Sequence, residues 1–318
     1  MNGSFRSRMK QHGAALLTAM LTVALVATLA AGALWQQWRA IEVEQAQRTQ
    51  QQMGWILLGA QDWARLILRE DANASSVDHL SEPWALPLQE ARLKSFLNSE
   101  APMDEADSLD QSFLSGRISD LQARLNVLNL VDNKKVDADA FEAFGRLFAA
   151  LGLPPNQLVA LTLQLQNAAQ GQGLLMPERL SDLQRFGLSG PMLQALSPYV
   201  TLLPSRTPVN LNTAPAEVLM AVLPGLNAAG AQALVQRRAS SHFKSVEEAL
   251  QAAPDLQPNL QASHFSVSSR YFEVRGLLRL DKLTVEQLSI LERDSGQIRV
   301  LSRHTGSLQS FRDVYADR

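Results

Sequence analysis

Between Lys10 and Arg39 the chain carries no charged residue. Residues 14–35 are nearly all apolar, and as an α-helix they span ~33 Å, about the hydrocarbon thickness of a bilayer. A soluble cytoplasmic chain would leave this stretch in water. Arg6, Arg8 and Lys10 precede it. The positive-inside rule therefore puts residues 1–13 in the cytoplasm and the bulk of the chain outside.

Two fates fit the junction "HGAALLT". A signal peptidase could cut after Ala31-Gly32-Ala33 and leave Leu34 as the new N-terminus. Alternatively the cut falls after Gly13, on the cytoplasmic side, and the apolar helix stays. The polar head ending in Gly, the length of the apolar run and its unbroken continuation favour the second. From residue 36 to 68 there is no proline, and the isolated Gly54 and Gly59 are tolerable in a helix. Trp35, Trp38 and Ile41 recur at helical spacing, and Met53, Ile56, Leu57, Trp63, Leu66 and Ile67 resume the stripe. One helix over residues 14–69 would run ~84 Å, its first part in the membrane and its second against a globular domain. Trp35 and Trp38 fall where an interfacial aromatic belt is expected, although core packing explains them equally well.

The remainder is globular in composition. Of 318 residues 46% are hydrophobic and 19% charged, enough for a sizeable core and two domains. The net charge of −2 does not favour nucleic acid. The absence of cysteine excludes disulfides and thiol chemistry, and it suits an oxidising compartment.

Residues 71–103 carry Pro83, Pro87 and Pro102 and read as loops with a short helix over 89–97. Residues 116–130 suit one or two strands. From Asp137 the period turns helical, with Phe141, Phe144, Leu147, Phe148 and Leu151 on one face, and Pro154-Pro155 starts another helix. Residues 180–200 and 214–238 then share one plan. A helix capped by Ser181 or Thr213 ends in a turn at Gly187 or Gly225, and a second helix follows. This is a helix-hairpin-helix pattern, whose turn amides can face a phosphate. The usual DNA-binding turn has glycine on both sides of an apolar residue. Here Ser189 and Asn227 replace the second glycine, and Arg237 and Arg238 are the one close basic pair. A packing or protein-interaction module is the better reading. From Phe265 the pattern becomes an antiparallel meander of roughly three strands with a turn at "DSGQ", and residues 305–318 are polar and expected to fray.

No catalytic constellation stands out. His12, His79, His242, His264 and His304 are scattered without metal spacing, and no nucleophile-elbow, Walker or dinucleotide motif occurs.

A short basic leader ending in Gly, before a long apolar helix, resembles the type IV pilin and pseudopilin class. The resemblance implies cleavage between Gly13 and Ala14 and N-methylation of Ala14. Most members carry Glu at the fifth mature position, where this chain has Thr18. A carboxylate at membrane depth needs a partner. A threonine hydroxyl needs none, because it can bond a carbonyl one turn back. A subunit lacking the Glu lacks one contact for packing inside a filament, which fits a subunit at its end. "TPVNLNTAPAEVLMAVLPGLNAAGAQALVQRR" and "VSSRYFEVRGLLRL", with residues 111–132 of related character, resemble the type II secretion minor pseudopilin K family over nearly the full chain.

That resemblance implies an α+β fold: a pilin-like long N-terminal helix packed on a small antiparallel sheet, with a large inserted all-helical domain containing helix-hairpin-helix (SAM-like) repeats. The expected division is a leader over 1–13, an assembly helix over 14–69, and a first α/β part over 70–132. The helical insert follows over 133–263, with hairpin units near 180–200 and 213–238, and the closing β part over 264–318. The implied role is non-enzymatic: a single-pass inner-membrane subunit that initiates and caps the periplasmic pseudopilus at its tip and so supports protein export across the outer membrane. Its implied partners are the I and J minor pseudopilins, the prepilin peptidase and the inner-membrane platform, with no nucleic acid. The family often has an acidic calcium-binding loop. The matching stretch here, residues 166–178, holds only Glu178, so no cofactor is expected and calcium is doubtful. The denser acids Asp104, Glu105, Asp107 and Asp110 read as a solvated loop. The competing reading is a periplasmic or signal-anchored protein that binds a partner or ligand through its hairpins.

Overall fold

The computed structural model describes residues 12–92, 112–253, 262–280 and 283–307. The chain divides into two compact units, residues 1–55 and 56–318. In the first unit helix α1 (His12–Ala74) begins, and its apolar side chains from Leu16 to Val43 are exposed. Three threonines sit in this apolar stretch without opening the helix. Thr18, Thr22 and Thr28 donate to the carbonyls of Ala15, Ala19 and Leu25 at 3.0, 2.8 and 2.8 Å. Each hydroxyl is thereby satisfied inside its own turn.

The second unit starts with the rest of α1 and continues to β1 (Leu88–Arg92) and β2 (Ser112–Asp120). The two-residue strands β3 (Leu125–Asn126), β4 (Val131–Asp132) and β5 (Lys135–Val136) lead into helices α2 (Ala138–Ala150), α3 (Pro155–Ala169) and α4 (Gly190–Leu196). Next come β6 (Val200–Thr201), β7 (Val209–Asn210), α5 (Ala216–Val222), α6 (Ala228–Ser240), α7 (Val246–Gln251) and β8 (Phe265–Ser266). The chain closes with β9 (Tyr271–Leu280), β10 (Leu283–Asp294) and β11 (Gln297–Ser307).

The main sheet is antiparallel, in the order β1-β2-β9-β10-β11. Alternation drives its burial: Leu114 and Ile118 of β2 and Phe272, Val274 and Leu278 of β9 are buried. Ala64 and Leu68 of α1, with Trp84, join Ile118, Phe272 and Leu291 in one apolar cluster. Gly116 and Gly276 face each other across β2 and β9. A Cβ on Gly276 would lie 3.1 Å from Leu57 of α1, and one on Gly116 would lie 2.8 Å from the Arg275 carbonyl. The β10–β11 turn is tight, with Ser295 and Gly296 at φ 49° and 79°, the signature of a type I′ hairpin.

β2 and β9 are hydrogen-bonded neighbours, yet the chain between them builds a second core. It leaves the sheet at Asp120 and re-enters at Tyr271, and Asp120 pairs with Phe272 in the ladder. In the helical core Phe144, Leu147 and Phe148 of α2 pack with Leu158, Leu161 and Leu165 of α3. Asp137 caps α2 by accepting from the Ala140 amide at 3.0 Å. Phe141 and Leu151 lie at the edge of this core. Leu125, Val127 and Leu130, ahead of residue 133, also belong to it.

The α+β class holds, with a long N-terminal helix and a small antiparallel sheet. Several local expectations do not. Residues 88–92 form β1, where the start of a helix over 89–97 is expected, and residues 93–97 lie outside the described residues; Leu88, Ala91 and Arg92 pair with Gly116, Leu114 and Phe113, and sheet pairing overrides a weak helical pattern. Residues 116–130 do supply strands as expected, the end of β2 and the two-residue β3, with short 3₁₀ turns beside them. β11 runs to Ser307, so residues 305–307 are paired with β10 and not frayed. The acids Asp104, Glu105, Asp107 and Asp110 lie outside the described residues.

Candidate assembly site

Gly13 and Ala14 fall within the first turn of α1. An 18-residue window of this helix has a mean hydropathy of 2.1, so it is long and apolar enough to cross a membrane. Thr18 bonds within its own turn, as its residue type leads one to expect.

The hairpin glycines sit at true turns. Gly187 has φ 98° and Gly225 has φ 92°, a region that side chains rarely adopt. Gly187 lies between a 3₁₀ helix (Leu180–Gln184) and α4, and Gly225 lies between α5 and α6. The expected caps are different residues. Asp182 Oδ2, not Ser181, accepts the Glu178 and Arg179 amides at 3.0 Å each, and α5 starts from Pro215. Ser189 and Asn227, which stand where a DNA-binding turn has its second glycine, cap α4 and α6 through the Met192 and Gly230 amides. Their side-chain oxygens thus occupy amides that a phosphate would need. Nor do Arg237 and Arg238 form a surface pair. Arg238 is buried and donates to the Leu211 carbonyl at 2.7 Å, and burial lowers its pKa to about 10.

Thr213, instead of capping a helix, ties the insert to the sheet. Its hydroxyl donates to Asp120 Oδ2 at 2.5 Å. The same oxygen accepts from Ser269 Oγ at 2.6 Å and Asn210 Nδ2 at 3.1 Å, while Oδ1 accepts the Gln122 amide at 2.7 Å. Burial pushes the Asp120 carboxyl up to about 6, against these donors. Asn212 accepts from the Phe243 amide and donates to its carbonyl, both at 2.9 Å, imitating a strand pairing. Beside this network Arg293 donates to Asp71 at 3.1 Å, to both oxygens of Asp78, and to the Ser269 carbonyl at 2.8 Å. Burial, Glu82 and Asp78 raise Asp71 to about 7.

The carboxylates of Asp71, Asp78 and Glu82 converge within 4.8 Å of one another. Arg293 already supplies the cation to the first two, and Glu82 accepts from the His79 amide and Trp84 Nε1. Residues 166–178 fit calcium poorly. They offer one carboxylate, Glu178, and neighbouring Asp182 is engaged by two amides and Arg185. Two of the scattered histidines do meet: the His79 and His242 rings stack at 3.8 Å.

None of this network is marked by a catalytic motif. The only signal in the sequence is a set of polar side chains, Asn210, Asn212 and Thr213, embedded among Val209, Leu211 and Ala214.

A family model described as "Type II secretion system (T2SS), protein K" matches residues 209–268, which include Asn210, Asn212 and Thr213 of this junction. The chain is 29% identical over 329 residues to the type II secretion system protein K of Pseudomonas aeruginosa, covering 94% of each chain. Over nearly its full length the chain is therefore similar to type II secretion system protein K. The protein K of Pectobacterium carotovorum subsp. carotovorum is 26% identical, with 95% of this chain and 99% of that one covered. In fold the chain is similar to one from the crystal structure of the GspK-GspI-GspJ complex of enterotoxigenic Escherichia coli. The TM-score is 0.64 at 20% identity, over 83% of this chain and 99% of that one.

Proposed function

We propose that this chain is a minor pseudopilin of type II secretion and the end subunit of a short periplasmic pseudopilus. The prepilin peptidase cuts between Gly13 and Ala14, and Ala14 is methylated. The retained helix holds the chain in the inner membrane, with residues 1–13 cytoplasmic and the bulk periplasmic. Its mechanism is assembly and not chemistry, with no cofactor. The helix packs with those of I- and J-type pseudopilins on the inner-membrane platform, initiating the filament. The inserted helical domain, between the exit from the sheet at Asp120 and the return at Tyr271, blocks addition of further subunits. The turns at Gly187 and Gly225 serve two helix-hairpin-helix-like packing units.

The observation that carries the end position is Thr18. Its hydroxyl is satisfied by Ala15 of its own helix, so it makes no demand on a neighbouring subunit's N-terminus. Co-purification tests the reading. The full chain, co-expressed with I- and J-type pseudopilins and extracted in detergent, should elute with both as one species. Elution of this chain alone would contradict it.

A further inference from the structure

Where the sheet meets the insert, a cavity of about 460 Å³ is lined by Arg117 and Arg124. Arg124 is only 7% exposed, and its guanidinium makes no hydrogen bond or ion pair among the described residues. Arg117 is half-buried, and its Nε is buried without a partner. Burial and the charges of Arg275 and Arg124 both disfavour its cation. The acids that face Arg117 are Glu273 and Glu286, and Glu286 already pairs with Arg275 at 3.2 Å. Asp120 lines the same cavity, but four donors from the junction fill its two oxygens. Three guanidinium groups thus share two carboxylates, and the buried Arg124 and the half-buried Arg117 line an open space. An anion brought to this space would offset the cost of holding these cations partly out of water.

The walls say what body the anion is attached to. Trp84, Tyr199, Pro198 and Pro215 supply rings and apolar surface, with exposed Leu80 beside them. One side is the edge of β2. β1 pairs with β2 only up to Gly116, so residues 117–120 present an edge that no described strand covers. An extended backbone can add to such an edge, with alternate side chains entering the cavity. Arginine forks suit the two oxygens of a carboxylate.

We propose that this cavity binds an extended acidic peptide segment of a partner protein, its carboxylate held by Arg117 and Arg124 and its backbone along the open edge of β2. The full chain in detergent micelles, titrated against fluorescein-labelled Val-Glu-Val-Glu-Val-Glu-Val by fluorescence anisotropy, tests this. The peptide should bind at least tenfold more tightly than its Gln counterpart. Arg117→Gln and Arg124→Met should each weaken it at least tenfold. Arg124→Met should also keep or raise the melting temperature, because it removes a buried cation without a counter-ion. Equal binding of the two peptides, or unchanged binding to the double variant, would overturn the proposal. So would a lowered melting temperature in Arg124→Met together with unchanged binding. Inorganic phosphate that displaces the peptide at equal concentration would mark a small-anion site and overturn the peptide reading.

Discussion

The hydroxyl of Thr213 donates a 2.5 Å hydrogen bond to Oδ2 of Asp120, joining the segment just ahead of α5 to the last residue of β2. Ser269 and Asn210 converge on the same oxygen, so the exit and return of the inserted segment are tied at one carboxylate. Buried donors without an acceptor cost ~1–3 kcal/mol each. Asp120→Ala strands several and should destabilise the chain by more than about 3 kcal/mol, while Thr213→Val should cost about 1–3 kcal/mol. Urea unfolding of the full chain in micelles, followed by circular dichroism, measures both. Wild-type stability in Asp120→Ala would show that the junction contributes nothing.

Asp71 gives a pH dependence of defined sign. Burial, with Glu82 and Asp78, raises its carboxyl to about 7 in the fold, although Arg293 opposes the shift, against an ordinary value of 3.8. The folded chain therefore holds this proton more tightly than the unfolded chain. Its contribution is fully present below about pH 4 and is lost as pH rises through about 7. Asp71→Asn should remove that part of the slope between pH 4 and 7, so the stability difference between variant and wild type should change with pH. A difference that is flat across this range would refute the assignment.

Gly116→Ala should be poorly tolerated. The added methyl would meet the Arg275 carbonyl at 2.8 Å, and backbone in a paired ladder cannot step aside as a side-chain tip can. A loss of about 1–3 kcal/mol is expected from overpacking. The control is Gly32→Ala, which meets nothing within 4 Å. Equal melting temperatures for the two variants would contradict this reading of the sheet.

The sequence was most legible where one periodicity ran long. The apolar run at 14–35, the Phe144–Leu147–Phe148 face and the "DSGQ" turn each appear as expected, because helix, core face and hairpin are decided locally. The resemblance to protein K rested on the same stretches that the family model matches in part. β1 was hidden because its pairing partner lies more than twenty residues away and supplies what its own composition lacks. The junction was hidden for a related reason. Thr213 reads as a helix cap by its position ahead of α5, but Asp120, 93 residues earlier, takes its hydroxyl instead. The stack of His79 on His242 likewise joins residues that nothing in their spacing connects. Ser189 and Asn227, by contrast, were visible as departures from a DNA-binding turn, and their capping bonds give the physical reason.

The central claim is that the apolar helix is kept and the leader is removed at the Gly13–Ala14 bond. Mass spectrometry of the N-terminal peptide from the membrane-extracted protein tests it most directly. The account predicts a chain that starts at Ala14 and carries an N-methyl group. A chain starting at Met1 or at Leu34 would contradict it.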